Sequence, residues 1–118
     1  MLTIDPNVAM QSAVESMVGK ALVVGATPVL VEITPLGTSS GWSPTKQGYL
    51  DTHNSWLVSY ASANGYELAL VYAALEDGGN PDDLLPVYDS GDGVHLNETG
   101  YKKMGDAIAI AVQAASPW

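Results

Sequence analysis

An α/β fold built on a short parallel sheet is predicted by three features of the sequence. Helical and strand-like segments alternate along the chain. The strand candidates are short continuous apolar runs, rich in β-branched residues, and one helical segment lies between them. Buried strands joined through a helix form a parallel crossover whose helices cover the sheet. At 118 residues the chain reads as one domain, 1–118, since smaller pieces would bury too little to fold alone. Its 47% apolar and 14% charged residues are those of a folded globular chain.

Each element carries its own signal. Asp5-Pro6 pairs an N-cap acceptor with proline at the first helical position. Met10, Val14, Met17 and Ala21 then recur at steps of four, three and four and give one apolar face. Pro28–Thr34 is a buried strand ended by Pro35 and Gly37. Leu36–Trp42 is a loop, and Ser43-Pro44 repeats the helix-start signal. That helix runs to Asn64-Gly65 with Leu50, Asn54, Leu57 and Ala61 on its inner face. A second strand spans Tyr66 to about Ala73, and an acidic loop follows from Glu76 to His95. The last helix starts near Asn97 and turns Tyr101, Met104, Ile108, Ala111 and Ala115 inward. In parallel sheets ligand chemistry gathers beyond the carboxyl ends of the strands, here Thr34-Pro35-Leu36 and the segment after Ala73. The acidic loop returns to the same rim.

Composition excludes several functions. A net charge of −9 with four basic residues, all Lys, supplies no cationic surface for nucleic acid or anionic membranes. With zero Cys there are no disulfides, thiolate zinc sites or thiol nucleophiles. No apolar run is long enough to span a membrane. MLTIDPNVAM lacks the basic start and apolar stretch of a signal peptide, and the cellular location stays unassigned. No cofactor is implied.

The chemistry points to His95, in Asp89-Ser-Gly-Asp-Gly-Val-His95. An Asp three residues before a His in a glycine-rich turn can fold back onto the imidazole Nδ1–H. That sets the tautomer and leaves Nε2 free as a general base. The plain alternative is a loop histidine with an unrelated acidic neighbour. Asp89, Asp92, Glu98 and His95 together offer oxygen and nitrogen donors, but their spacing matches no EF-hand loop, and no metal site is expected. His53, with Trp56 and Tyr60 along the same helix, reads as a partly exposed helix residue.

The stretch DGVHLNETGYKKMGDAIA resembles the C-terminal block of the SGNH, or GDSL-like, hydrolases, where an Asp-x-x-His pair leads into the final helix. PVLVEITPLG is similar to that family's strand ending in a Pro turn. YLDTHNSWLVSYASANGYELALVYAALED resembles its next helix, with an internal Asn, and the strand after it. The resemblance implies a flavodoxin-like three-layer fold, ester hydrolysis, Asp92 as triad acid and His95 as base. It covers the later portion of such a domain. The family's Gly-Asp-Ser nucleophile and Gly-x-Asn-Asp oxyanion motifs are not in this sequence, where Gly91-Asp92 is followed by Gly93. The chain is therefore expected to represent a truncated domain with base and acid but without the nucleophile block.

Ser39, Ser40 and Ser43 lie on the rim and are candidate substitute nucleophiles; otherwise His95 would activate water directly. Thr34 and Trp42 are candidates for the lining of the substrate pocket. With no Arg to grip phosphorylated or acidic substrates, small neutral acyl esters fit best. The alternatives are a non-catalytic oligomerising fragment and a small acidic carbohydrate-binding module. Loss of the inner neighbour of Pro28–Thr34 would bare a sheet edge. Self-association is expected there, most simply a two-fold dimer.

Overall fold

The computed structural model describes residues 5–115. Helix α1 runs Pro6–Val23, and the Asp5 carboxylate accepts the Asn7 amide at 2.9 Å as its N-cap. Its buried residues are Asn7 and Val18, with Val14 beside Val18, whereas Met17 is exposed. Strand β1 is only Val29–Val31, shorter than the Pro28–Thr34 read from composition. Helix α2 runs Pro44–Asn64. Asn54 on that helix accepts the Ile33 amide at 2.9 Å and donates to the Ile33 carbonyl at 3.0 Å. A side-chain amide thus takes the place of a neighbouring strand at Ile33.

Both ends of α2 follow their local signals. Ser43 Oγ accepts the Lys46 amide, and Gly65 closes the helix at φ 71°. Leu50, Asn54, Leu57 and Ala61 are buried as expected. His53 is buried too, at 5% exposure, which corrects the reading of a partly exposed residue. It stacks towards Trp56, which stacks on Tyr60 at 4.7 Å. Burial lowers the His53 pKa and favours the neutral ring.

Strand β2, Glu67–Ala69, pairs parallel with β1 in the register Val29–Glu67, Leu30–Leu68, Val31–Ala69. The strand expected to reach Ala73 stops early, and Val71–Leu75 forms helix α3. Its apolar side chains Val71 and Leu75 are buried below the sheet, while the Tyr72 amide turns to Glu32 Oε1 at 3.3 Å. This tertiary pattern overrides the β-branched start of the segment. The acidic loop is structured by two antiparallel bridges, Glu76–Leu84 and Asp89–Leu96, and by a 3-10 turn at Pro86–Tyr88. Helix α4, Glu98–Ala115, is capped by Asn97 Oδ1, which accepts the Gly100 amide at 2.9 Å. Gly100 is buried against Tyr88, so Tyr101 points outward instead of into the core.

The core lies on both faces of the sheet, because successive strand residues point to opposite sides. Leu30 packs with Val18, Leu57 and Ala61 under α1 and α2. Ala69 packs with Val71, Leu75, Leu84, Leu96 and Ala111 towards α3 and α4. The result is a three-layer α/β arrangement with the β1 edge open among the described residues. Glu32 N reaches Ala69 O, so the alternation of a parallel ladder turns the Val29 and Val31 backbone groups away from β2. The radius of gyration is 15.2 Å, against about 13.5 Å for a rounded domain of this length. Among the described residues no helix is long and apolar enough to cross a membrane.

Asn54→Leu is expected to cost about 1–3 kcal/mol, because it leaves the Ile33 amide and carbonyl unpaired in a half-buried place. The thermal midpoint measures this, and an unchanged midpoint would mean that solvent serves Ile33 equally well.

Candidate active site

The turn before α4 brings Asp92 and His95 together. His95 Nδ1 lies 2.6 Å from Asp92 Oδ2. The other carboxylate oxygen, Oδ1, accepts the Val94 and His95 amides, both at 2.8 Å, and the Ser90 hydroxyl at 3.3 Å. The His95 bond foremost, then the two amides, hold the Asp92 carboxyl well below the usual carboxylate range. An ionised Asp92 only accepts, so it fixes the proton on Nδ1 and leaves the Nε2 lone pair free. The His95 side chain is 71% exposed and that of Asp92 49%, which opens Nε2 to solvent.

Glycines let this turn form and dock. Gly91 and Gly93 both have positive φ, 125° and 75°. A Cβ on Gly93 would lie 2.7 Å from the Thr38 carbonyl and 2.8 Å from the Ser39 amide. The rim loop after β1 therefore rests directly on the turn that carries the dyad. The same loop is fixed behind by the Gly37 amide, which donates to Asp82 O at 2.9 Å.

Of the three rim serines, Ser39 comes near this turn through its backbone amide. Ser39 Oγ donates to Leu36 O at 2.7 Å, Ser40 is exposed, and Ser43 Oγ caps α2. Among the described residues the His95 ring bonds Asp92 and no hydroxyl. Thr34 is half-buried in the segment after β1. The Trp42 indole donates to Gln47 Oε1 at 2.8 Å and lines an apolar cleft of about 200 Å³ with Met10, Ile33, Leu36 and Leu50. None of the residues lining that cleft belongs to the dyad turn.

A polar network that sequence reasoning missed supports the rim. The Tyr72 hydroxyl donates to Asp82 Oδ1 at 2.6 Å and accepts from Gln47 Nε2 at 3.2 Å, which links α2, α3 and the acidic loop. Burial, then the Asp82 bond, raises the Tyr72 pKa, so the phenol stays protonated as donor. Burial raises the Glu32 pKa too, against the Tyr72 amide, which lowers it. No sequence spacing signals this network, because its members lie on four separate segments. Among the described residues, no three His, Asp or Glu side chains gather as a metal-binding group.

No protein-family model and no curated protein matches the sequence. Solved structures do match the fold. A Bacteroides fragilis protein assigned as an acylhydrolase superposes with a TM-score of 0.79 at 26% identity, over 92% of this chain and 52% of its own. A GDSL-like lipase from Bacteroides thetaiotaomicron gives 0.77 at 24% identity, over 93% of this chain and 54% of its own. The esterase domain of the ORF1 protein of the zebrafish ZfL2-1 retrotransposon gives 0.75 at 12% identity, over 94% of this chain and 61% of its own. The chain thus spans about half to three-fifths of the length of the structures that it matches. In fold and in the order of its elements, this chain is similar to part of the domain of GDSL-like acylhydrolases and lipases.

Proposed function

We propose that this chain acts in the hydrolysis of small neutral acyl esters, with His95 as general base and Asp92 as the group that orients it. The observation that carries this reading is the 2.6 Å Asp92–His95 bond, which leaves Nε2 facing solvent at the turn before the last helix. The fold likeness to an acylhydrolase, a lipase and an esterase domain supports it. Water is the nucleophile that this arrangement favours, since Ser39 and Ser43 are engaged with backbone groups. His95 Nε2 takes a proton from water as the water oxygen bonds to the acyl carbon. The tetrahedral intermediate then collapses, its bond to the alcohol oxygen breaks, and the imidazolium returns the proton to that oxygen. Asp92 stabilises the imidazolium in between. Four Lys and no Arg against 13 acidic residues favour uncharged acyl groups.

Hydrolysis of a short p-nitrophenyl ester, compared between the parent and His95→Ala, tests this reading. Loss of activity in the variant is expected. Equal rates at background would establish the second reading, a folded non-catalytic piece, which a solvent-exposed His95 ring without a hydroxyl partner among the described residues favours. Labelling by a fluorophosphonate would transfer the nucleophile role from water to a serine.

We also propose that two copies pair along the open edge of β1, antiparallel about a two-fold axis. A groove of about 310 Å³ follows this edge between α1 and α2, lined by Val14, Val18, Val29, Val31, His53 and Leu57. No Asp, Glu or Lys lines it. In a chain of net charge −9 it is a face where like charges do not meet. Light scattering after size exclusion is expected to give twice the chain mass, and Val31→Lys to give the single chain. A parent protein that is monomeric at micromolar concentration would overturn the pairing.

A further inference from the structure

We infer that Asp89 is a positioning residue for the Asp92–His95 pair, holding the backbone on both sides of Asp92 so that its carboxylate meets His95 Nδ1. The inference builds on the proposed hydrolase role, because it is that role which needs one fixed imidazole tautomer.

The segment Asp89-Ser90-Gly91-Asp92-Gly93 places the triad acid between two glycines. Glycine loses more conformational freedom on ordering than any other residue, so a free Gly-Asp-Gly turn would sample many directions for Asp92. Asp89 removes that freedom. Its Oδ1 accepts the Gly91 amide at 2.8 Å and the Gly93 amide at 3.0 Å. One oxygen therefore clamps the residues immediately before and after Asp92, with both glycines at positive φ. Asp92 can then turn its own Oδ1 onto the Val94 and His95 amides, and Oδ2 onto the ring.

The clamp itself is anchored. The Asp89 amide donates to Pro86 O at 3.1 Å, and Asp89 bridges Leu96 across the turn. Its carbonyl accepts from Asn97 Nδ2 at 3.2 Å, and that same amide nitrogen holds Val87 O at 2.8 Å. Asn97 also caps α4 through the Gly100 amide. A continuous path of bonds therefore runs from the first turn of α4 through Asn97 and Asp89 to the dyad. Of two carboxylates three positions apart, Asp89 binds backbone alone and Asp92 binds both backbone and imidazole.

Two variants separate the position of this oxygen from its charge. Asp89→Asn keeps an acceptor oxygen at the same reach and removes the charge. Asp89→Glu keeps the charge and moves the oxygen by one methylene. The His95 tautomer, read by long-range 15N–1H NMR on the full chain, reports the outcome without any need for turnover. The parent and Asp89→Asn are expected to hold the proton on Nδ1. Asp89→Glu is expected to move a substantial fraction to Nε2 and to lower kcat by about 10–100-fold at similar KM. Asp89→Glu with the parent's tautomer, or Asp89→Asn without it, would overturn the positioning role. A tautomer loss in Asp89→Glu, in a parent protein that hydrolyses no ester, would uphold the positioning role and remove the hydrolase reading alone.

Discussion

Asp92→Asn is expected to lower ester hydrolysis by about 10²–10⁴-fold while leaving the chain folded. The variant amide places a donor or a neutral oxygen against His95 Nδ1, so the tautomer that frees Nε2 is no longer enforced and the imidazolium loses its counter-charge. The Val94 and His95 amides can still bond the amide oxygen, which keeps the turn closed. Initial rates on a short p-nitrophenyl ester check the effect, and rates within threefold of the parent would remove Asp92 from the mechanism. The same variant tests a pH dependence. The folded-state pKa of Asp92 is depressed, by the His95 bond first and the amides second. Its contribution to stability is therefore present above the unfolded value of about 3.9 and is lost as pH falls below it. Thermal midpoints measured downward from pH 5 should fall more steeply for the parent than for Asp92→Asn. Because Asp92 is exposed, that difference in slope will be small beside the kinetic effect.

Gly93→Ala is expected to damage both stability and activity, at a cost of roughly 2–5 kcal/mol. Two effects add. The backbone at φ 75° strains any residue with a side chain, and the new methyl would lie 2.7 Å from the Thr38 carbonyl. Thr38 is backbone in a loop tied behind at Gly37–Asp82, so relief has to come from the dyad turn itself. Gly91→Ala provides the control: its φ is also positive, at 125°, but a Cβ there meets open space. It should show the strain without the collision, and so a smaller fall in thermal midpoint. Equal falls for the two variants would show that the contact with Thr38 has no energetic weight.

The elements that were legible in sequence are those fixed by neighbours along the chain. Asp5-Pro6, Ser43-Pro44 and Asn64-Gly65 marked helix ends correctly because capping is a matter of a few adjacent residues. The Asp92–His95 pair was legible for the same reason, since three residues of separation in a glycine-rich turn nearly determine the contact. Asn54 on an apolar helix face is a visible anomaly, but its partner Ile33 lies 21 residues away, so nothing in the sequence shows the bond between them. Val71–Ala73 reads as strand because its composition allows either state. Burial of Val71 and Leu75 between the sheet and α4 decides it, and the Tyr72–Glu32 bond spans 40 residues. His53 was misplaced because helix periodicity does not show how far α1 covers its neighbour. Gly93 carried no sign of Thr38, which only the fold brings to it.

The side-chain amide that meets Ile33 has a further consequence for the bare edge of the sheet. It acts as a ruler. Any strand laid beside β1 finds free backbone groups at Val29 and Val31 and then meets Asn54, which already occupies both groups of Ile33. The partner segment can be only a few residues long, and its register has little room to slide. Pairing of two copies through so short a ladder would exchange quickly and draw its strength from the apolar groove alongside. Shortening the Asn54 side chain would lengthen the template by one residue pair and make the edge more adhesive.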